Sequence, residues 1–194
     1  MRLVDFTYFK KNKFVENKKY TIREKVEELK KLLHVSSLSY LYDFNNLVSY
    51  RNTKGFSEKS IVNSNIMLEL AINSSKNMTD NKFNRKKLDS LLTNLRKMTL
   101  QDPQVFYPVL KKELLECGII LLGLPALKNT NLNGATKKFR NGSILLLMTD
   151  RNKGADVFWF SLFHELGHII ENDFYSDHGT KTVIWKKNAK QMFC

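Results

Sequence analysis

Cysteine is almost missing from this chain of 194 residues: Cys117 and the terminal Cys194 are its only two, and no CxxC spacing occurs. Without a disulfide framework a small secreted scaffold is excluded, and a reducing cytoplasm is the expected compartment. Long hydrophobic runs are missing as well. The longest mostly apolar stretch, Gly118 to Leu127, is too short to span a bilayer, and Met1 to Lys11 lacks the apolar segment of a signal peptide. Neither a membrane-embedded chain nor one exported through a signal peptide is expected. Prolines number only three, while 42% of residues are hydrophobic and 11% aromatic, so the chain can bury a core and is not disordered. Acidic residues are the last scarcity: 19 Asp+Glu stand against 32 Lys+Arg, a net charge of +13. That balance admits an acidic partner. The lysines, however, run throughout the chain and do not cluster on a recognition helix, so direct DNA binding by this chain is not expected.

What is present first is helical. Thr21 followed three residues later by Glu24 makes a capping box, after which Ile22, Val26, Leu29 and Leu33 recur at helical spacing. A second helix is expected from about Ser57, with Ile61, Val62, Ile66, Leu70 and Ala71 on one face. A third follows Asn84, with Leu88, Leu91, Leu92, Leu95 and Met98 as its buried stripe. The polar stretch Asn73 to Asn81 reads as a loop, and His34 as a surface or capping residue. Asp102-Pro103 supplies an N-cap and a proline at the first helical position. The helix it opens is expected to turn Val105, Phe106, Val109, Leu110 and Leu114 inward and to end at Gly118. The pattern then changes. Ile119 to Leu122 reads as a buried strand, and Ala135 to Phe139 and Ser143 to Met148 flank Asn141-Gly142 as a hairpin. The fold class expected is α+β: a helical region over residues 1–100, then a domain over 101–194 with a small, largely antiparallel sheet and a final apolar helix.

That last helix carries the chemistry. It runs Asp156-Val-Phe-Trp-Phe-Ser-Leu-Phe-His164-Glu165-Leu-Gly-His168-Ile-Ile-Glu171, an H-E-x-x-H sequence within an apolar helix. At about 100° per residue, His164 and His168 project from one face a turn apart, so both imidazoles can approach a single tetrahedral cation. Glu165 lies beside them, where its carboxylate can hydrogen-bond water at the metal without ligating the metal itself. The surrounding Phe158, Trp159, Phe160, Leu162, Phe163, Leu166, Ile169 and Ile170 imply that the helix is buried, and buried polar groups need partners. One cation would satisfy all three.

At these residues the chain resembles the ImmA/IrrE family of metallo-endopeptidases, in the version fused to HigA-like antitoxins. The resemblance runs through Asp102-Pro103 and its helix, Leu132-Asn133-Gly134-Ala135-Thr136, the strand Ile144 to Met148, and Phe158 to His168, about half of the chain. It implies a zincin-like, gluzincin-type fold over 101–194, with Zn2+ held by His164 and His168 and Glu165 as general base. It also implies a protein substrate or partner, a repressor or toxin–antitoxin component. Residues 1–100 resemble the connecting region that follows a helix-turn-helix in such antitoxins, and no helix-turn-helix is evident here.

The sequence departs from the family at the third ligand, usually a glutamate on a following helix. The last glutamate, Glu171, sits about one turn beyond His168 on the same helix, an awkward position from which to reach the same ion. Trp185 to Phe193 resembles the start of the ligand helix with Ala189 retained and the acidic residue absent. Alternatively the chain stops before that ligand. Asp173, Asp177 and His178 are fallback ligands, and Tyr175 is an available oxyanion donor. The metzincin pattern fails, because Glu171 and Phe174 stand where Gly and His are required. Two functions therefore stay open: a zinc endopeptidase, or a catalytically silent regulator that binds a partner protein. In the first, Ser143 to Met148 is expected to form a sheet edge that aligns an extended substrate.

Overall fold

Helix starts in this chain are written by side chains that take up the amide groups a first turn leaves unbonded. In the computed structural model, which describes residues 3–42, 57–130, 132–151, 154–171 and 182–183, the four expected helix starts are in place, each with a capping side chain. Thr21 and Glu24 form the reciprocal box at the start of α2 (Ile22–Leu33), with the Thr21 amide donating to Glu24 Oε2 at 2.7 Å. Ser57, Asn84 and Asp102 cap α3 (Glu58–Ser75), α4 (Arg85–Met98) and α5 (Pro103–Glu116). A short α1 (Phe6–Lys11), capped by Asp5, and a 3-10 helix (Leu38–Tyr42) complete the first half. His34 is the exposed left-handed C-cap of α2.

The sheet has the order β1 (Ile119–Leu124), β3 (Ile144–Thr149), β2 (Gly134–Lys138), β4 (Thr182–Val183). Two of its three pairings, β2 with β3 and β2 with β4, are antiparallel, and β1 runs parallel to β3. In the β2–β3 hairpin only Gly142 takes a positive φ, +90°, while Asn141 Oδ1 accepts from the Ser143 amide at 3.0 Å. Gly118, at φ +78°, links α5 to β1. A Cβ there would stand 2.5 Å from the Lys82 carbonyl oxygen, so both conformation and space call for glycine.

One expectation is overturned by the register. The strand read as an edge is central: β3 pairs with β1 on one side and β2 on the other, so its backbone is not open to a substrate. Its residues 144–148 are buried on both faces, the signature of an interior strand. Alternation then divides the protein into two layers about the sheet. Leu145 and Leu147 join α1, α2 and α3 on one face; Ile144, Leu146 and Met148 join α4, α5 and α6 (Ala155–Glu171) on the other. Each of these cores draws residues from both sides of residue 100.

Several helices differ from their expected faces: on α2 Ile22 is 73% exposed, and on α4 Leu92 is only half-buried. On α5 only Phe106, Leu110 and Leu114 of the proposed inner set are buried; Val105 and Val109 are 59% and 43% exposed, because they lie about 100° or more around the helix from that stripe. On α3 burial extends beyond the apolar face to Asn63, Ser64 and Asn65. Asn63 donates to the Lys128 carbonyl at 2.7 Å, Asn65 to the Leu41 carbonyl at 2.6 Å, and Ser64 hydrogen-bonds Thr130 at 3.0 Å. Among the described residues no helix is long and apolar enough to cross a membrane.

Candidate functional site

The motif helix is held by its apolar side. Trp159, Leu162, Leu166 and Ile169 are buried against the sheet and α5, with the Trp159 ring 4.7 Å from that of Phe106. Arg85, at the start of α4, donates to the Ile170 carbonyl and so takes up one of the acceptors that the end of α6 leaves unbonded. With the apolar stripe fixed, Ser161, His164, Glu165 and His168 are turned to the neighbouring side. Ser161, Glu165 and His168 are buried there despite their polarity.

The two imidazoles are in ring contact, with centroids 5.4 Å apart and planes at 82°. Two histidines on one tetrahedral zinc, with Zn–N near 2.0–2.1 Å, place their ring centroids about 5.3 Å apart. The observed spacing therefore fits a shared ion. His164 is half-buried beneath Phe160, whose exposed ring stacks on it at 5.7 Å and 29°. Burial, followed by the neighbouring His168, lowers the His164 pKa to about 4, so its imidazole is neutral at neutral pH, the form a metal needs.

Glu165 is 4% exposed, and burial pushes its carboxyl up to about 8. Its Oε2 is buried and has no hydrogen-bond partner. Space for this side chain is made by Gly134 on β2: a Cβ there would stand 2.9 Å from Glu165 Cγ and 3.2 Å from Oε1. The segment bearing Gly134 is pinned to β3, whose Thr149 amide and hydroxyl donate to the carbonyls of Asn133 and Leu132 at 2.9 and 2.6 Å. The sequence contained Gly134 within the stretch carrying the resemblance, but its role depends on the approach of α6, which local pattern does not encode. Thr136, two residues along the same face, is fully buried with an unpartnered Oγ1. It too was missed.

Upstream of this cluster lies a largely apolar groove of about 470 Å³ between the beginnings of α5 and α6. Tyr107, Met148, Val157, Phe158 and Ser161 line it, and Ser161 precedes Glu165 by one helical turn.

The structure brings His164, Glu165 and His168 together. Glu171 ends α6 and is exposed. Asp173, Phe174, Tyr175, Asp177, His178 and the tail 184–194 lie outside the described residues. Among the described residues no group of three or more His, Cys, Asp or Glu side chains is placed to hold a metal, so a third protein ligand is not found within them. No family model, curated protein or solved structure matches the chain.

Proposed function

We propose that the chain is a zinc-dependent endopeptidase of the ImmA/IrrE type, with a zincin-like domain over 101–194, acting in the cytoplasm on a regulatory protein such as a repressor or toxin–antitoxin component. The observation that carries this reading is the buried, unpartnered Glu165 Oε2 next to two imidazoles whose 5.4 Å spacing suits one zinc ion. The class of substrate comes from the sequence resemblance alone.

His164 and His168 would hold the zinc, and a third ligand would come from beyond α6. When bound, the ion would supply a Lewis acid for water and for the substrate carbonyl. Glu165 takes a proton from the attacking water at Oε2 and returns it to the leaving amine. Gly134 leaves room for the Glu165 side chain on the β2 side. The strand next to Glu165 is β2, which like β3 is paired on both sides, so neither is assigned as an edge for an extended substrate. A large apolar side chain of the substrate would enter the groove beside Ser161.

Metal content and proteolysis test the reading together. Purified protein is expected to carry near-stoichiometric zinc, lost in His164→Ala. Glu165→Gln is expected to keep the zinc and abolish cleavage of the partner protein. Metal-free protein whose stability is unchanged by chelator would instead support the silent regulator.

A further inference from the structure

Positive charge is concentrated near the start of the chain. Residues 10–25 hold seven basic side chains against two acidic ones, a net +5 out of the whole chain's +13. The fold gathers three of these lysines around a concavity of about 440 Å³ between α1 and the start of α2, lined by Phe6, Thr7, Lys10, Lys11, Asn17 and Lys25. Every polar side chain of that lining can donate a hydrogen bond, and none is a carboxylate. The carboxylates nearest in sequence are engaged elsewhere: Asp5 accepts from the Thr7 amide, Glu16 pairs with Lys18 at 2.8 Å, and Glu24 closes the capping box. Among the described residues Lys10, Lys11 and Lys25 form no ion pair. Two of them are nevertheless held in place. Lys10 Nζ lies 5.5 Å from the centroid of the Tyr20 ring and Lys25 Nζ 5.7 Å from that of Phe6, and the two rings pack edge to face with centroids 5.2 Å apart. A lysine that already leans on a ring has less freedom to lose when an anion arrives.

We propose that this concavity binds a compact polyanion with two adjoining phosphates, as in inorganic pyrophosphate or the diphosphate of a nucleotide. Charge sets the size of the group. A phosphate carries about −1.5 to −2 near pH 7, so two of them match three ammonium groups and one does not. The volume, about 440 Å³, falls within the range of small-ligand pockets, about 300–1,000 Å³. An acidic peptide fits less well, because three carboxylates on one face of an extended segment span about 13 Å, against a width of roughly 9 Å here. Single-stranded nucleic acid calls for open aromatic faces on which bases stack. Here Phe6 is only 7% exposed, and Tyr20 carries both Lys10 and Lys18, the second at 5.4 Å. The proposal is independent of the endopeptidase reading, since no residue of the lining belongs to α6.

The experiment is calorimetric titration of the full chain with inorganic pyrophosphate, at fixed ionic strength and without added metal. Pyrophosphate is expected to bind about tenfold or more tightly than orthophosphate. Lys10→Gln and Lys25→Gln should each weaken it about three- to tenfold, while Lys25→Arg stays within about twofold. Lys97→Gln, an exposed lysine on α4, should change nothing. Equal affinity for the two anions, or affinity untouched by the Lys10 and Lys25 substitutions, overturns the proposal. A nucleoside diphosphate that binds no tighter than pyrophosphate supports a site that reads phosphates alone, and one that binds about tenfold tighter supports a nucleotide. A single-stranded RNA oligomer held about tenfold tighter than either, through the same lysines, overturns the proposal in favour of a polymer. Should the variants not fold, NMR spectra of the unaltered chain decide. Pyrophosphate is then expected to shift the ring signals of Phe6 and Tyr20 and to leave those of Phe160, on α6, unmoved. Shifts at Phe160 instead, or none at Phe6 and Tyr20, overturn the proposal.

Discussion

Gly134 on β2 is the wall against which Glu165 on α6 rests: a Cβ at residue 134 would come within 2.9 Å of Glu165 Cγ and 3.3 Å of Cδ. The atom in the way is the middle of the glutamate side chain, backed by a helix whose other side is packed in the core. There is little room to yield. Gly134→Ala is therefore expected to displace the carboxylate, cost about 1–3 kcal/mol of stability through overpacking, and slow hydrolysis by up to about 100-fold. Bound zinc should be unchanged. Urea unfolding, metal analysis and kcat/KM measured side by side check this.

Glu165 also makes a prediction about pH in the metal-free protein. Its carboxyl titrates at about 8 when folded, against an ordinary value of 4.5, because burial disfavours the charge. The folded state keeps a proton that the unfolded chain releases, so this contribution is complete below pH 4.5 and is lost as pH rises through 8. Glu165→Gln removes the dependence. The variant is expected to be more stable than the unaltered chain at pH 8, by about 1–3 kcal/mol, and to show no such gain at pH 4. His164 works in the opposite sense: its pKa falls from 6.5 to about 4, so its contribution is complete above pH 6.5 and fades below. Thermal melts of the metal-free protein from pH 4 to 9 separate the two.

Phe160 stands at the solvent side of the site, 54% exposed, with its ring stacked on His164. It shields little core, so Phe160→Ala should leave the melting temperature nearly unchanged. It should weaken zinc binding about two- to tenfold, the range of an aromatic pair, by freeing the His164 ring to rotate. Competition with a chromogenic chelator measures it, and an unchanged affinity would mean that the stacking is incidental.

How far sequence alone reached depended on how local each cause was. The starts of α2, α3, α4 and α5 were legible because Thr21, Ser57, Asn84 and Asp102 act on amides two or three residues away. That His164 and His168 come into ring contact was legible for the same reason, since one helical turn relates them. The buried Asn63, Ser64 and Asn65 were not, because their partners, the 128–130 loop and Leu41, are remote in sequence. The central place of β3 also escaped, although its unbroken run Ile144 to Met148 carried the sign: a strand open on one edge and one face alternates, and this one does not. Gly134 belongs to the same class, because only the docking of α6 onto β2 gives it a role.

The endopeptidase reading stands or falls on whether His164 and His168 take hold of one ion with Glu165 beside it. Diffraction from crystals of the zinc-loaded protein, collected on both sides of the zinc absorption edge, tests it most directly. One anomalous peak is expected, bonded at about 2.0–2.1 Å to a nitrogen of each imidazole, with Glu165 Oε2 outside bonding distance of the ion. A peak elsewhere, no peak, or imidazole nitrogens tied individually to protein carbonyls would contradict it.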